Sequence, residues 1–342
     1  MKRLATATLG AMLLALWAAS ARAEGQLNII CSVPMSWCQA VGAAFTKETG
    51  INVGVVQKSA GEAMAQISAE RANPKLDVFY TGTGDPHLQA AEMGLTEEYK
   101  SPNLPQLYDW AIRQAEQSKY RTVGVYTGAL GIAYNPELLA KKNLAPPNCW
   151  ADLANQIYKD EVQMANPNAS GTAYASLATL VQIFGEDKAF ELMKGMHRNI
   201  NSYPRTGAAP VRAVARGETG IAVTFLHDGM TEVVAGFPVK LVVPCEGTGY
   251  EVGSMSIVKG ARNLENAKKF YDWALTPAAQ KIGGELKNFQ TPSNKATPAP
   301  PGAPDLGQIK LINYDFVKYG SATERKRILE KWDKEVYSIP RS

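Results

Sequence analysis

The sequence predicts an α/β fold, and three observations carry that expectation. Short runs rich in β-branched and other apolar residues recur early in the chain, at residues 26–31, 51–56 and 76–80. Each is followed by a stretch with helical spacing, and these end near Gly50, Ala72 and Gly94. The loops between strand and helix are rich in Ser, Thr, Gly and Pro. Strands alternating with helices predict a parallel sheet with right-handed crossovers. Ligands on such sheets sit beyond the carboxyl ends of the strands. The loops at residues 32–37 and 81–85 occupy that place.

The later elements follow in order. Residues 121–126 and 131–134 read as two strands separated by Thr127, Gly128, Ala129 and Leu130. Asn135 and Pro136 open a short helix, and the segment from Pro146 to Trp150 is a turn leading to another. Residues 163–165 form a strand that feeds a loop. In that loop Pro167 and Asn168 break the chain, Ser170 is a good N-cap, and Gly171 and Thr172 leave the first-turn amides uncovered. An apolar helical run follows (Ala173, Leu177, Leu180, Val181, Phe184) and Gly185 stops it. Free amides at the positive end of a helix dipole favour an anion; the same Ser-Gly-Thr pattern also serves as a plain cap. Residues 220–225 are a strand ending in Leu226, His227 and Asp228. Strands at 239–244 and 254–258 flank a loop that contains Glu251. Helices are expected at 264–275 and 277–283, a proline-rich loop at 297–304, and an amphipathic helix at 322–336.

The 342 residues suit two domains or one large one. Hydrophobic content of 45% and charged content of 20% are those of a globular chain. Met1, Lys2 and Arg3 precede an apolar run and then the small-x-small triplet Ala21, Arg22, Ala23, which reads as a signal peptide over residues 1–23 cleaved before Glu24. Three of the 36 basic residues lie in that leader, which leaves 33 against 32 acidic ones. A balance this even gives no support for nucleic-acid binding. Cys31, Cys38, Cys149 and Cys245 are an even set in an exported chain, and three pairings are open. No GxSxG, HExxH or Walker A motif is present. Asp228 and Glu251 could serve as glycosidase carboxylates or as acceptors for ligand hydroxyls.

Several segments, taken in order, resemble the periplasmic substrate-binding proteins of ABC importers, in the extracellular solute-binding group that includes ferric-ion binders. Leu76, Asp77, Val78, Phe79, Tyr80, Thr81 and Gly82 look like the family's first-lobe strand and ligand loop. Gly131, Tyr134, Asn135, Pro136 and Leu138, followed by Pro147, Trp150, Asp152 and Leu153, look like its crossover into the second lobe. Gly260, Asn263, Ala267, Phe270, Thr276, Pro277 and Gln280 look like its return helices.

The resemblance implies two α/β lobes closing on ligand about a hinge of two crossing strands. Lobe one would comprise residues 24–125 and 254–342, lobe two residues 130–251, and the hinge would lie near 126–130 and 251–254. Cys31 and Cys38 are close in sequence and are expected to pair, and the resemblance, which places Cys149 and Cys245 in one lobe, implies the second bridge. The ferric binders hold iron through adjacent tyrosines after a second-lobe strand; here Leu226, His227 and Asp228 follow residues 221–225. Within the family the chain is most similar to the hexose-phosphate binder, in which a His-Asp pair and a later Glu hold the sugar; His227, Asp228 and Glu251 match. Phosphate would lie at Ser170, Gly171, Thr172 and Ala173, with help from Thr83, Ser36 and Trp37, and Arg205 and Thr206 could add a clamp. The expected partners are a small phosphorylated solute and an ABC permease in the inner membrane. No cofactor, catalysis or nucleic acid is implied, and a monomer is expected. An aminoalkylphosphonate or ferric iron is the alternative cargo, and a secreted phosphatase or glycosidase the alternative class.

Overall fold

A computed structural model describes residues 25–341, so the expected signal peptide lies outside the described residues. The first half of the chain contains β1 (Gln26–Cys31), α1 (Met35–Thr49), β2 (Asn52–Gln57), α2 (Ala60–Ala69), β3 (Val78–Tyr80), α3 (Gly84–Glu92), α4 (Asp109–Gln117), β4 (Val123–Tyr134), α5 (Pro136–Lys141) and β5 (Val162–Gln163). Next come α6 (Gly171–Phe184), α7 (Glu186–Asn199), β6 (Ile200–Ser202), α8 (Ala209–Ala215), β7 (Ile221–Phe225), α9 (Leu226–Val234), β8 (Lys240–Val242) and β9 (Tyr250–Ile257). The chain ends with α10 (Leu264–Ala274), α11 (Pro277–Glu285), β10 (Thr291–Pro292), α12 (Phe316–Tyr319) and α13 (Ala322–Trp332). None of the described helices is long and apolar enough to cross a membrane.

The strands follow the path β2-β1-β3-β9-β4-β7-β5-β6, with β8 and β10 also paired to β4. The sheet is mixed rather than wholly parallel. β1 runs parallel to β2 and β3, and β5 parallel to β6 and β7, but β9 is antiparallel to both β3 and β4. β4 is likewise antiparallel to β7, β8 and β10, so β4 and β9 together break the expected pattern.

β4 also differs from expectation. Residues 127–130 are not a break between two strands but the middle of one twelve-residue strand. Thr127, Gly128 and Ala129 stay extended because they pair with Val252, Glu251 and Tyr250 of β9. From Leu130 onward β4 pairs instead with β7 and β8. The strand therefore passes from one group of strands to the other at Ala129–Leu130.

Two large apolar cores lie on either side of this crossing. One contains Leu27, Phe45, Tyr80, Val123, Met255 and Phe270. The other contains Leu130, Trp150, Tyr174, Phe190, Val223 and Phe225, joined by Tyr314, Tyr319, Ile328, Trp332 and Val336. The expectation that everything after residue 254 belongs with the first lobe therefore fails for the last part of the chain. The cause is burial: Trp332 and Ile328 are fully enclosed by the second core, and each large apolar side chain enclosed contributes roughly 1.5–3 kcal/mol. Polar ties follow the same path, since the Tyr174 hydroxyl donates to Tyr319 O at 2.7 Å and Arg341 donates to Ile200 O at 3.0 Å.

The cysteines are paired as Cys31–Cys38 and Cys149–Cys245. The one group of possible metal ligands among the described residues is Cys149, Cys245 and Glu246. It is already used: the cysteines are bonded to each other, and Glu246 accepts the Trp150 and Ala151 amides at 2.8 and 3.0 Å.

Candidate functional site

A cavity of about 310 Å³ opens between the two halves. Its position follows from the alternation of elements, because a chain leaving the carboxyl end of a strand turns there to begin a helix. α1, α2, α3, α6, α8 and α9 all begin at or beside its wall, through Met35, Ala60, Thr83, Gly171, Ala208 and His227. A helix start presents unsatisfied N–H groups and the positive end of its dipole. Most of the wall therefore offers donors.

The α6 start forms one end. Ser170 is extended at the N-cap, and its hydroxyl accepts the Ala173 amide at 3.4 Å. The Gly171 and Thr172 amides have no acceptor among the described residues. Across the cavity stand Ser32, Ser59, Gly82 and Thr83. The hydroxyls of Ser32 and Thr83 have no well-formed hydrogen bond among the described residues. The two halves meet closely here: a Cβ on Gly171 would fall 1.8 Å from Thr83 Oγ1, and the Ser59 hydroxyl donates to Ala169 O at 2.8 Å. Thr81 holds a left-handed conformation at φ 65° to turn the chain from β3 into this wall.

The opposite end is acidic. β7 delivers Phe225, and the first turn of α9 then presents His227 and Asp228; β9 supplies Glu251. His227 Nε2 lies 3.7 Å from Asp228 Oδ1 and 3.6 Å from Glu251 Oε1, both too long for hydrogen bonds. Its ring stacks on Phe225 at 5.1 Å and fills the space where Gly128 would carry a Cβ, 2.2 Å from Nδ1. Nδ1 has no partner among the described residues. Burial lowers the His227 pKa to about 3, so the ring is neutral. Burial raises Asp228 to about 7, with Arg212 opposing and Glu232 reinforcing. Burial also raises Glu251 well above the usual carboxylate range, and the Asp228 and Asp85 charges push it further. The Tyr126 hydroxyl accepts the Gly82 amide at 3.2 Å and ties the acidic end to the donor end.

Thr83, Ser170, Gly171, Thr172, Thr206, His227, Asp228 and Glu251 are thus brought to one cavity wall. Four other expected residues are not. Ser36 is exposed on the outer side of α1. Trp37 is buried against Tyr126 at 5.8 Å, with Gly283 closing over its ring, so no sugar face can reach it there. Ala173 is buried beneath the first turn, and its amide is taken by Ser170. Arg205 is 77% exposed and is ion-paired with Glu62 across the rim. Ser32, Gln57, Tyr126, Arg212 and Gln290 are among the wall residues that were not anticipated as binding groups. Ser32 lay within a loop already marked by its place after β1. Nothing in the local pattern marks the other four.

A model of bacterial extracellular solute-binding proteins matches residues 73–319. A Haemophilus influenzae protein described as uncharacterized is 43% identical over 319 residues, covering 93% of this chain and 92% of its own. The structure of the periplasmic binding protein AfuA from Actinobacillus pleuropneumoniae, with exogenous fructose-6-phosphate bound, is also 43% identical. It superposes with a TM-score of 0.90 over 92% of this chain and 100% of that one. A putative 2-aminoethylphosphonate-binding periplasmic protein of Salmonella typhimurium is 27% identical over 316 residues, 87% of each chain.

Proposed function

The chain belongs to the bacterial extracellular solute-binding protein family, as a solute-binding component of an ABC importer, and from that premise we propose that it captures a small phosphorylated solute, a hexose phosphate, for delivery to a membrane permease. The observation that carries this reading is the division of the cavity. One end is lined by helix starts and hydroxyls, and the other by His227, Asp228 and Glu251. A phosphate placed at the Gly171 and Thr172 amides would meet the uncommitted hydroxyls of Ser32 and Thr83 on the facing wall. The sugar would extend toward Asp228 and Glu251, whose carboxyl groups accept from its hydroxyls. Neutral His227 would donate or accept, according to its tautomer. AfuA, with its bound fructose-6-phosphate, supports the ligand class.

An aminoalkylphosphonate is the second reading, favoured by the two carboxyl groups and by the Salmonella relative. Ferric iron fits less well. Tyr126 is the one tyrosine at the described wall, burial raises its pKa well above the usual value, and Fe(III) prefers anionic oxygen.

A thermal-shift screen with hexose phosphates, aminoalkylphosphonates, plain sugars and ferric salts tests the proposal, because a ligand of the folded form raises Tm by mass action. Hexose phosphates are expected to raise it most. A shift with iron alone, or turnover of a hexose phosphate, would sink the reading. Asp228→Ala is expected to weaken hexose phosphate by about tenfold or more while leaving inorganic phosphate nearly unchanged; equal losses would remove the sugar-binding role.

A further inference from the structure

The acidic end of the cavity has more negative capacity than a neutral sugar requires. Glu251 is only 3% exposed, and its carboxyl group accepts no hydrogen bond among the described residues. Asp228 likewise has no hydrogen-bond donor there, and His227 between them is neutral. The groups around the pair are Glu232 on α9, Arg212 on α8, Asp85 on α3 and Tyr126 on β4. Arg212 is the one cation at the described wall. It is 48% exposed and turned toward Glu232 at 3.8 Å, so it does not neutralise Glu251. A buried carboxylate without a counter-charge is costly. A phosphate dianion at the far end of the same small cavity adds like charge.

We infer that the preferred cargo is zwitterionic: an amino-sugar phosphate whose ammonium lies against Glu251 and Asp228 while its phosphate lies at the start of α6. This rests on the anion-binding reading proposed above and adds the chemistry of the other end. A sugar hydroxyl gives these carboxyl groups a hydrogen bond but no charge. An ammonium gives both, and hydrogen bonds to charged groups are the stronger kind. Both carboxyl groups hold their protons more tightly than usual, because they are buried. An arriving ammonium therefore displaces a proton: the carboxyl O–H ionises, the proton leaves to solvent, and the carboxylate accepts the ammonium N–H. A neutral sugar leaves the proton in place.

Titration calorimetry separates the two. The purified protein is titrated at pH 7.5 with glucose 6-phosphate, glucosamine 6-phosphate and glucosamine 1-phosphate, in two buffers of different ionisation enthalpy. At least one amino-sugar phosphate is expected to bind about tenfold tighter than glucose 6-phosphate, with proton release that glucose 6-phosphate lacks. Glu251→Gln is expected to reduce that preference to about twofold or less and to diminish the proton release, weakening the amino-sugar phosphate more than glucose 6-phosphate. If glucose 6-phosphate binds and neither amino sugar binds tighter, the zwitterion inference falls and the hexose-phosphate reading stands. Tighter amino-sugar binding without proton release also overturns it. If no phosphorylated ligand binds, the anion-binding reading falls and this inference with it.

Discussion

His227 and Asp228 are neighbours whose titrations oppose each other. The His227 pKa falls from 6.5 to about 3 on folding, so the unfolded chain binds more protons between those values and stability is lost as pH falls through that window. Asp228 rises from 3.8 to about 7, so its contribution is full below about 4 and is lost as pH rises toward 7. Ligand-free Asp228→Asn is therefore expected to be more stable than wild type at pH 8, by roughly 1–3 kcal/mol, with no gain at pH 4; thermal melts across that range check it. Gly128→Ala would drive a methyl group into the His227 ring. It is expected to cost stability and to abolish sugar selectivity, read by denaturant unfolding together with ligand titration. His227 and Asp228 were legible as wall residues because they follow a recognisable strand, whereas Glu251 was marked only by the family resemblance and lies within β9 rather than in the expected loop. Arg212 and Gln290 were not, because each reaches the wall from a segment with no motif of its own, and only tertiary packing brings them in.

Among the elements, α6 matched its sequence signals closely. Ser170 caps it, Gly185 ends it at φ 78°, and the run between is buried over most of its length. Ser170→Ala should cost about 1 kcal/mol of stability and weaken binding of every phosphorylated ligand; a loss of stability with unchanged affinity would separate the cap from the anion site. β4 was misread because residues 127–130 carry no strong strand signal. Their extended form comes from partners more than a hundred residues away in β9, which no local pattern reports. α4 and α7 are absent from the sequence reading although each carries a distinct buried face, Ala111 and Ala115 in one and Ala189, Phe190, Met193 and Met196 in the other. The two disulfides predict different costs. Cys149–Cys245 closes a 96-residue separation and Cys31–Cys38 one of 7. Loop-closure entropy then assigns about 4–5 kcal/mol to the first and about 2–3 to the second. Denaturant melts of the paired Cys→Ser variants should preserve that order.

At the scale of the whole molecule, the two halves touch across the cavity through Ser59 and Ala169, Glu62 and Arg205, and Thr83 and Gly171. In a hinged protein such contacts form only on closure. Gly171→Ala should therefore block the approach of Thr83, weaken ligand binding by about tenfold or more, and leave the melting temperature of the ligand-free protein nearly unchanged. Small-angle scattering should then show ligand contracting the wild type but not the variant. The family and the two-lobed plan were legible from the order of modest local matches. The destination of the carboxyl-terminal segment was not, because an amphipathic helix such as α13 records that it has a buried face but not what covers it. That destination bears on the order of assembly. A chain that emerges amino-terminus first brings Trp150, Tyr174 and Phe190 into solution long before Ile328 and Trp332 arrive to cover them. The first core can close around β1 to β3 once β9 and α10 have appeared, whereas the second must wait for Tyr314 to Val336. A nascent chain thus carries an unfinished apolar face until that segment has emerged, and it is this half that would need protection from aggregation in the meantime.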